Sequence, residues 1–264
     1  MDKNELIKKI IEKKEFSDLP LKDVEIAFEK FYKSENPDFQ NIKLTRNFLR
    51  KIYSSFTSRK LLGSEEKIIS QGYEWVLMKH KSTKERYPFY EEIYSKIFNK
   101  FSEKEKISVI DLGAGVNGFS FNFIKKNFPS AEYYGVEAIG QLVHLMNYFF
   151  KEKNLSGGAE HFSLFEIDKI KKFISSKKSP RVVLLFKVID SLESVERNYS
   201  KKLIEEIVPI SERVVVSFAT KSLGNRKKFS VQRGWLVKFV KEKFNLEDDF
   251  ELGGERYLVF SDRG

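Results

Sequence analysis

The stretch from Val109 to Phe119, VIDLGAGVNGF, constrains the fold more than any other part of this chain. A short apolar run leads into three glycines, Gly113, Gly115 and Gly118, which are spaced as G-x-G-x-x-G. In such a pattern a strand ends, the backbone turns tightly, and a helix begins whose N–H groups point at a ligand. The stretch therefore predicts a ligand-binding turn between a strand and a helix, although a tight turn without a ligand has the same pattern.

From residue 107 onwards, strand-like and helix-like segments alternate. Strand patterns cover five segments, residues 107–112, 132–137, 161–167, 181–188 and 213–219, and two further strands flank the Gly253-Gly254 hairpin turn. Helical patterns cover the segments between them, at residues 119–127, 140–153, 195–207 and 232–243. This alternation predicts an α/β fold with a Rossmann-like, mostly parallel sheet that closes with an antiparallel C-terminal hairpin.

The first third of the chain has the periodicity of helices. Apolar residues recur at helical spacing, as in Leu6 and Ile10 or Val24 and Phe28. We expect a helical N-terminal region over residues 1–98 and a sheet domain over residues 99–264. Two more helical patterns cover residues 48–56 and 65–79.

The composition excludes several kinds of site. The chain of 264 residues has no Cys and only 3 His, so disulfides and Cys chemistry are excluded and we expect no metal site. No run approaches the roughly 18 apolar residues of a membrane span, and the charged amphipathic start is not a secretory signal. We expect a monomeric, cytoplasmic protein that does not associate with a membrane.

Positive charge is concentrated near the C-terminal end. The formal net charge is +10, and residues 217–243 contain eight basic residues against one acidic residue. Such clustering is typical of proteins that bind a polyanion, above all nucleic acid. The same charges have a second interpretation, which is a Lys-rich, solvated surface of the kind found in thermophile proteins.

Two cofactor classes fit the glycine turn, NAD and S-adenosylmethionine. Glu137 ends the second predicted strand, where a carboxylate can accept ribose hydroxyls in either class. Three features favour S-adenosylmethionine. Asp111 lies two residues before Gly113, no segment remains for the substrate domain of a nicotinamide enzyme, and a fifth strand plus a hairpin is the usual end of a class I methyltransferase sheet.

The methyl acceptor is inferred by elimination. Methyl transfer is an in-line displacement in which the enzyme mainly positions its two partners. Residues 187–190 read KVID, so the N-P-P-Y-like turn typical of amino-group methyltransferases is absent, and attack at pyrimidine C5 would need a Cys. A ring nitrogen with a free lone pair, such as guanine N7, fits best. Another RNA such as tRNA, another base atom, and a non-catalytic RNA-binding protein stay open as alternatives.

Five stretches together resemble the Arm/Rmt family of aminoglycoside-resistance methyltransferases, which modify guanine N7 in 16S ribosomal RNA. In chain order they are the opening MDKNELIKKIIE, HKSTKERYPFYEEIYSKIF at residues 80–98, DLGAGVNG at 111–118, LLFKVIDSLE at 184–193 and VVVSFATKSLGNRKK at 214–228. The resemblance covers nearly the whole chain. It implies an S-adenosylmethionine-dependent enzyme acting on ribosomal RNA or the small ribosomal subunit, with aminoglycoside resistance as a further consequence.

The resemblance also implies roles for single residues. Arg86, with His80, Ser82 and Thr83, would hold the methionine end of the cofactor, and Glu137 the ribose. Asp111, Gly113, Ala114 and Gly115 would form the cofactor turn, and Phe165 and Lys187 would lie near the adenine and the methyl group. Residues expected to position or bind the RNA are Lys187, Lys221, Ser222, Arg226, Lys227, Lys228 and Arg233. The helical N-terminal region would bind RNA and cap the cofactor site.

Three of these residues could instead have a purely structural role. His80 could cap a helix, Lys187 could be a charge at a strand end, and Arg86 could pair with Glu91. The chain also departs from the family, with Ala114 in place of its Cys and Gly118 in place of its Pro. The basic segment at residues 225–228 replaces a Gly-rich stretch.

Overall fold

The computed structural model describes residues 1–54, 61, 63, 65–220 and 233–264. Within them a seven-stranded sheet has the order β3-β2-β1-β4-β5-β7-β6. Neighbouring strands from β3 to β5 are parallel, whereas β7 is antiparallel to both β5 and β6. The strands are β1 (Ser108–Leu112), β2 (Glu132–Glu137), β3 (Gly157–His161), β4 (Arg181–Phe186), β5 (Arg213–Ala219), β6 (Asn245–Leu252) and β7 (Glu255–Ser261). The predicted α/β sheet with its antiparallel hairpin is confirmed.

Helices precede the sheet and cover both of its faces. The N-terminal helices are α1 (Lys3–Ile11), α2 (Leu21–Phe31), α3 (Asp38–Leu49), α4 (Glu65–Ser70), α5 (Tyr73–Lys79), α6 (Lys81–Arg86) and α7 (Tyr90–Phe98). The helices between strands are α8 (Phe121–Lys125), α9 (Gly140–Glu152), α10 (Ile167–Ser175), α11 (Ile189–Val195), α12 (Tyr199–Ile207) and α13 (Gly234–Lys243). One π-helical turn, Arg50–Ser54, extends α3, and short 3-10 turns cover Tyr87–Phe89, Asn117–Ser120 and Val208–Ile210.

The third strand was predicted in the wrong place. The apolar pattern at residues 161–167 belongs to the loop after β3, where Phe162 and Leu164 are buried, and α10 begins at Ile167. The strand itself lies at the edge of the sheet and is largely exposed, so its residues carry no apolar pattern. An edge strand needs only one partner, and its backbone pairing with β2 defines it instead.

Several helix boundaries also differ from the predictions. The helix predicted at residues 195–207 is α12, which begins at Tyr199. Val195 belongs to the end of α11, and Asn198, with its left-handed φ of 63°, lies between the two helices. Gly72, with φ 89°, likewise divides the pattern at residues 65–79 into α4 and α5. The helix predicted at residues 48–56 is the end of α3 and its π-helical turn, and residues 55 and 56 lie outside the described part of the chain.

The sheet divides the core into two apolar layers. Alternate residues of the central strands face opposite sides, as period-two geometry requires. On one side Val109, Leu184 and Val215 join α4, α5 and α7–α9 in one cluster. On the other side Ile110 and Val183 join α10–α13 in a second cluster. Burial on both faces explains why β4 reads as a continuous apolar run.

Helices α1–α3 form a third cluster beside the sheet. Leu6, Ile10, Val24 and Phe28 pack together there, and Ile139, which follows β2, packs against them. Lys30 of α2 donates a hydrogen bond of 3.2 Å to the carbonyl of Val195 at the end of α11. The N-terminal helices are thus held against the edge of the sheet where β2 and β4 end.

The predicted boundary at residue 98 coincides with the end of α7, and the division into two domains stays a prediction. Helices α4, α5 and α7 share an apolar cluster with the sheet, while α1–α3 have their own. Among the helices of the described residues, none is long and apolar enough to cross a membrane.

The edge pairing of β3 gives a test of the fold. A Cβ atom on Gly157, which has φ 115°, would lie 1.8 Å from the backbone oxygen of Tyr133 on β2. We expect Gly157→Ala to lower the free energy of unfolding by at least about 1–3 kcal/mol, because strain and lost pairing add. Urea denaturation measures this change in the free energy of unfolding. Gly234→Ala is the control, since a Cβ there meets no atom within 4 Å, and equal stability of both variants would contradict the pairing.

Candidate functional site

A cavity that is open to solvent lies at the carboxyl ends of β1, β2 and β4. The strand order reverses direction between β1 and β4, which is where open α/β sheets bind ligands. Every residue assigned to the cofactor from the sequence lines this cavity; they are His80, Ser82, Thr83, Arg86, Asp111, Gly113, Ala114, Gly115, Glu137, Phe165 and Lys187. The structure thus brings together residues spread over about a hundred positions, and their individual roles stay predictions.

The glycine turn forms the floor of the cavity. Gly113 and Gly115 have φ values of 77° and 55°, in the left-handed region that favours glycine. A Cβ on Gly113 would lie 2.7 Å from Cγ2 of Val188, and one on Gly115 would lie 3.1 Å from Nε2 of His80. Both neighbours line the cavity. The two glycines therefore let the backbone approach the cavity without filling it.

Glu137 fixes the turn from the end of β2. Its Oε2 accepts a 2.8 Å hydrogen bond from the backbone N–H of Gly115, and its Oε1 accepts one of 2.9 Å from that of Ile139. Burial raises the pKa of this carboxyl group, and the backbone N–H groups oppose the rise. Because each carboxylate oxygen has two lone pairs, Glu137 can hold the turn and still accept hydrogen bonds from a ligand.

Asp111 has an acceptor atom that no group of the described residues uses. Its Oδ2 accepts hydrogen bonds from Asn117 Nδ2 at 2.7 Å and from the Tyr133 hydroxyl at 2.8 Å. Its Oδ1 is buried and makes no hydrogen bond. Burial raises the pKa of Asp111, and the hydrogen bonds from Asn117 and Tyr133 act in the opposite direction. A buried acceptor without a partner is costly, so a donor from a ligand in the cavity fits this atom.

Arg86 is held by two partners beneath the cavity. Its Nε donates to Glu255 Oε2 at 3.2 Å and its Nη1 donates to Asn117 Oδ1 at 2.9 Å. The guanidinium also lies 4.9 Å from the ring centre of Phe186. Glu91, the partner suggested by the sequence, instead pairs with Lys126. Arg86 therefore makes a structural ion pair and lines the cavity at the same time.

Glu255 joins the two cationic side chains of the site. Besides Arg86, it pairs with Lys187 Nζ at 3.1 Å and accepts a hydrogen bond from the Ser217 hydroxyl. Lys187 also pairs with Glu85 and has a left-handed φ of 56° at the end of β4. Only 1% of Glu255 is exposed. The last strand of the sheet thus supplies the carboxylate that compensates the charges of the site.

The sequence predicted that the N-terminal region caps the cofactor site, but it singled out no residue of α2 or of the π-helical turn for the cavity. Asp23 of α2 and the Ile52–Tyr53 pair of the π-helical turn line it. Asp23 is buried, and its Oδ1 accepts a hydrogen bond from the Tyr53 hydroxyl. One signal was present in the sequence: Asp23 lies four residues before Ala27, on the apolar face of α2, where a carboxylate is out of place.

Of the residues assigned to RNA, only Lys187 and Arg233 can be placed. Lys221, Ser222, Arg226, Lys227 and Lys228 lie outside the described residues. Arg233, at the start of α13, is buried, and its Nε and Nη2 donate to the two carboxylate oxygens of Asp190. This fork-to-fork pair anchors α13 beside the cavity, and an RNA contact of Arg233 stays a prediction. In the described ranges, no group of His, Cys, Asp and Glu could hold a metal ion.

The chain resembles known proteins over most of its length. The model of the ribosomal RNA methyltransferase (FmrO) family matches residues 48–239. A 16S rRNA (guanine(1405)-N(7))-methyltransferase of Proteus mirabilis is 25% identical over 191 residues, which make up 70% of this chain and 64% of that protein. The matched segment thus spans slightly less than two thirds of the relative.

Solved structures show the same fold. The 16S rRNA methylase RmtB has a TM-score of 0.79 at 19% identity, with 100% of this chain and 99% of that chain covered. The 16S rRNA methyltransferase RmtF, solved in complex with S-adenosyl-L-homocysteine, has a TM-score of 0.79 at 18% identity, with 99% of both chains covered. An rRNA methylase from Escherichia coli has a TM-score of 0.75 at 19% identity, with 98% and 99% covered.

The buried charges of the site give a test of its stability. Glu255→Gln leaves the charge of Arg86 uncompensated in a buried position, so we expect the free energy of unfolding to fall by roughly 3–5 kcal/mol. Glu91→Gln removes one half of an exposed pair and should change it by less than about 1 kcal/mol. Urea denaturation of both variants measures the difference. If Glu255→Gln were as stable as the wild type, the network would not support the site.

Proposed function

The chain belongs to the FmrO family of ribosomal RNA methyltransferases, and from that premise we propose that it transfers a methyl group from S-adenosylmethionine to N7 of a guanine in 16S ribosomal RNA. The observation that carries the proposal is the cavity where β1 and β4 diverge. It combines a glycine turn with the buried carboxylates of Asp111 and Glu137, and Oδ1 of Asp111 has no hydrogen-bond partner among the described residues.

The residues of the cavity match the parts of S-adenosylmethionine. The unpartnered Oδ1 of Asp111 suits the ammonium group of the methionine end, and Arg86 suits its carboxylate, because a guanidinium has more N–H groups than Glu255 and Asn117 use. Glu137 suits the ribose hydroxyls. A flat adenine ring suits the apolar side chains of the cavity, which include Ile139, Leu142, Leu164 and Phe165.

The chemistry asks little of the side chains beyond position and charge. When bound, S-adenosylmethionine would supply a methyl group on a cationic sulfur. The free lone pair of guanine N7 would bond to the methyl carbon while the carbon–sulfur bond breaks, and its electrons would stay on the sulfur of the departing thioether. No proton has to move. In agreement, burial, Arg86 and Lys187 lower the pKa of His80 to about 3, so this imidazole is neutral near pH 7. The carboxylates of the cavity favour both the cationic sulfur and the positive charge that develops on the guanine.

The small ribosomal subunit and its 16S RNA are the proposed partners. The support is the net charge of +10 together with the activities of the relatives, which act on 16S rRNA. Lys221, Ser222, Arg226, Lys227 and Lys228 follow β5 in the sequence, and we assign them to the RNA on that ground alone. Beyond them, Lys238, Lys241 and Lys243 are exposed on α13. Aminoglycoside resistance would follow where the modified guanine belongs to the drug site.

The reaction can be tested directly. The protein is incubated with S-adenosylmethionine labelled in the methyl group and with 30S subunits, naked 16S RNA or tRNA. We expect label in 16S RNA and strand scission at one guanine after borohydride and aniline treatment, which detects N7-methylated guanine. Label in tRNA alone would redirect the proposal to another RNA, and label at a position resistant to scission would redirect it to another atom. Failure to label any RNA would refute it.

The ribose contact gives a second test. Glu137→Gln removes the charge that accepts hydrogen bonds from ligand and turn, and hydrogen bonds to a charged group contribute about 1.5–3 kcal/mol each. We expect the affinity for S-adenosylhomocysteine, measured by titration calorimetry, to fall about tenfold or more. Glu132→Gln, at the opposite end of the same strand, is the matched control. Equal affinities of wild type and Glu137→Gln would contradict the assignment.

A further inference from the structure

We propose that Asp23, which the N-terminal helix α2 brings to the cavity, recognises the exocyclic amino group of the cofactor's adenine. The inference rests on the proposed use of S-adenosylmethionine and assigns a group of this chain to one atom of it. It makes the N-terminal helices part of the cofactor site itself.

The first observation is an acceptor without a donor. Asp23 is 3% exposed and lines the cavity. One carboxylate oxygen, Oδ1, accepts the hydrogen bond from the Tyr53 hydroxyl, whereas no described residue makes a hydrogen bond of good geometry to the other, Oδ2. Proteins leave few buried polar atoms in this state. A carboxylate oxygen of this kind fits an N–H or O–H donor of a ligand in the cavity.

The second observation is the place of Asp23 in the cavity. Burial has the largest effect on the pKa of Asp23 and raises it, and the nearby hydroxyl of Ser163, in the loop after β3, lowers it. This hydroxyl does not reach hydrogen-bond geometry with Oδ2. The charge of Asp23 also reinforces the rise in pKa that burial causes at Glu137, at the end of β2. Asp23 therefore lies between the carboxyl ends of β2 and β3, near the ribose-binding carboxylate.

The third observation is the apolar character of the surrounding wall. Ile139 and Leu142 contribute from the side of β2 and α9, and Leu164 and Phe165 contribute from the loop after β3. Apolar side chains of this kind can pack against the faces of a purine ring. Polar groups at the edge of the cavity then determine which purine is accepted. Glu137 already suits the ribose hydroxyls. The amino group is the N–H donor of adenine, and it is the group that matches an unused carboxylate oxygen.

Tyr53 is the positioning residue of this arrangement. Its hydroxyl donates to Asp23 from the π-helical turn that follows α3. The bond fixes the carboxyl group between two helices of the N-terminal cluster, so that Oδ2 is the oxygen left to a ligand. A buried carboxylate in a fixed orientation discriminates against an analogue that lacks the matching N–H donor. This discrimination is stronger than that of an apolar pocket.

The test compares two ligands that differ at one position of the base. S-inosylhomocysteine has a carbonyl oxygen where S-adenosylhomocysteine has the amino group, so it would direct an acceptor at Asp23 Oδ2. Titration calorimetry on the full chain gives both dissociation constants. For the wild type we expect binding of S-adenosylhomocysteine that is at least about tenfold tighter than binding of the inosine analogue, about 1.4 kcal/mol or more.

Variants then assign the discrimination to Asp23. In Asp23→Asn the side-chain amide can donate to the carbonyl of the analogue, so we expect the preference to fall to within about threefold. Tyr53→Phe keeps the carboxylate of Asp23 but removes the hydrogen bond that fixes its orientation. We expect this variant to lose part of the preference for S-adenosylhomocysteine. Glu29→Gln, which removes an exposed carboxylate from the same helix, should keep the preference of the wild type.

The outcomes separate the inference from the proposed function. A wild type that binds neither ligand would refute the use of S-adenosylmethionine and this inference with it. A wild type that binds both ligands equally, or an Asp23→Asn variant that keeps the full preference, would overturn the inference alone. Because both ligands are measured on each protein, a general loss of stability cannot imitate a change in their ratio, and the wild-type comparison holds even if a variant does not fold.

Discussion

The buried carboxylate of Glu255 is the interaction on which the site depends. It holds Arg86 and Lys187, and Arg86 in turn holds Asn117, which donates to Asp111. A continuous chain of polar contacts therefore runs from the last strand to the glycine turn. Desolvating charges is expensive, and this protein offsets the cost by giving them paired partners. The same contacts fix the orientation of the side chains that face the cavity.

The sheet and the cofactor turn were predictable because each has a local cause in the sequence. Strand β4 is buried on both faces, so its apolar run identifies it without knowledge of its neighbours. Gly113 and Gly115 are needed for positive φ and close approach, which are properties of the turn itself. The Gly253-Gly254 turn likewise predicted the hairpin, since both residues have positive φ between strands that pair in continuous register from Leu252↔Glu255 to Asp248↔Val259.

The partners of the site were not predictable, because they come from distant parts of the chain. Glu255 is 169 positions from Arg86, and no local pattern marks a carboxylate at the first residue of β7 as the partner of a distant arginine. Strand β3 was misplaced for a related reason. Its existence depends on pairing with β2, whereas the apolar residues that follow it serve the core. Sequence periodicity reports burial, and it fails where pairing or charge compensation decides the structure.

The cavity takes its walls from both ends of the chain, Asp23 and Tyr53 near the start and the contact of Arg86 with Glu255 near the end. This arrangement affects the order in which the protein can mature. During synthesis the glycine turn emerges when β7 does not yet exist, so Arg86 and Lys187 then lack their shared carboxylate. The ion pairs of Glu255 with Arg86 and Lys187 can form only after β7 has been synthesised and has paired with β5. The charge balance of the cavity is therefore completed by a strand that is made long after the glycine turn.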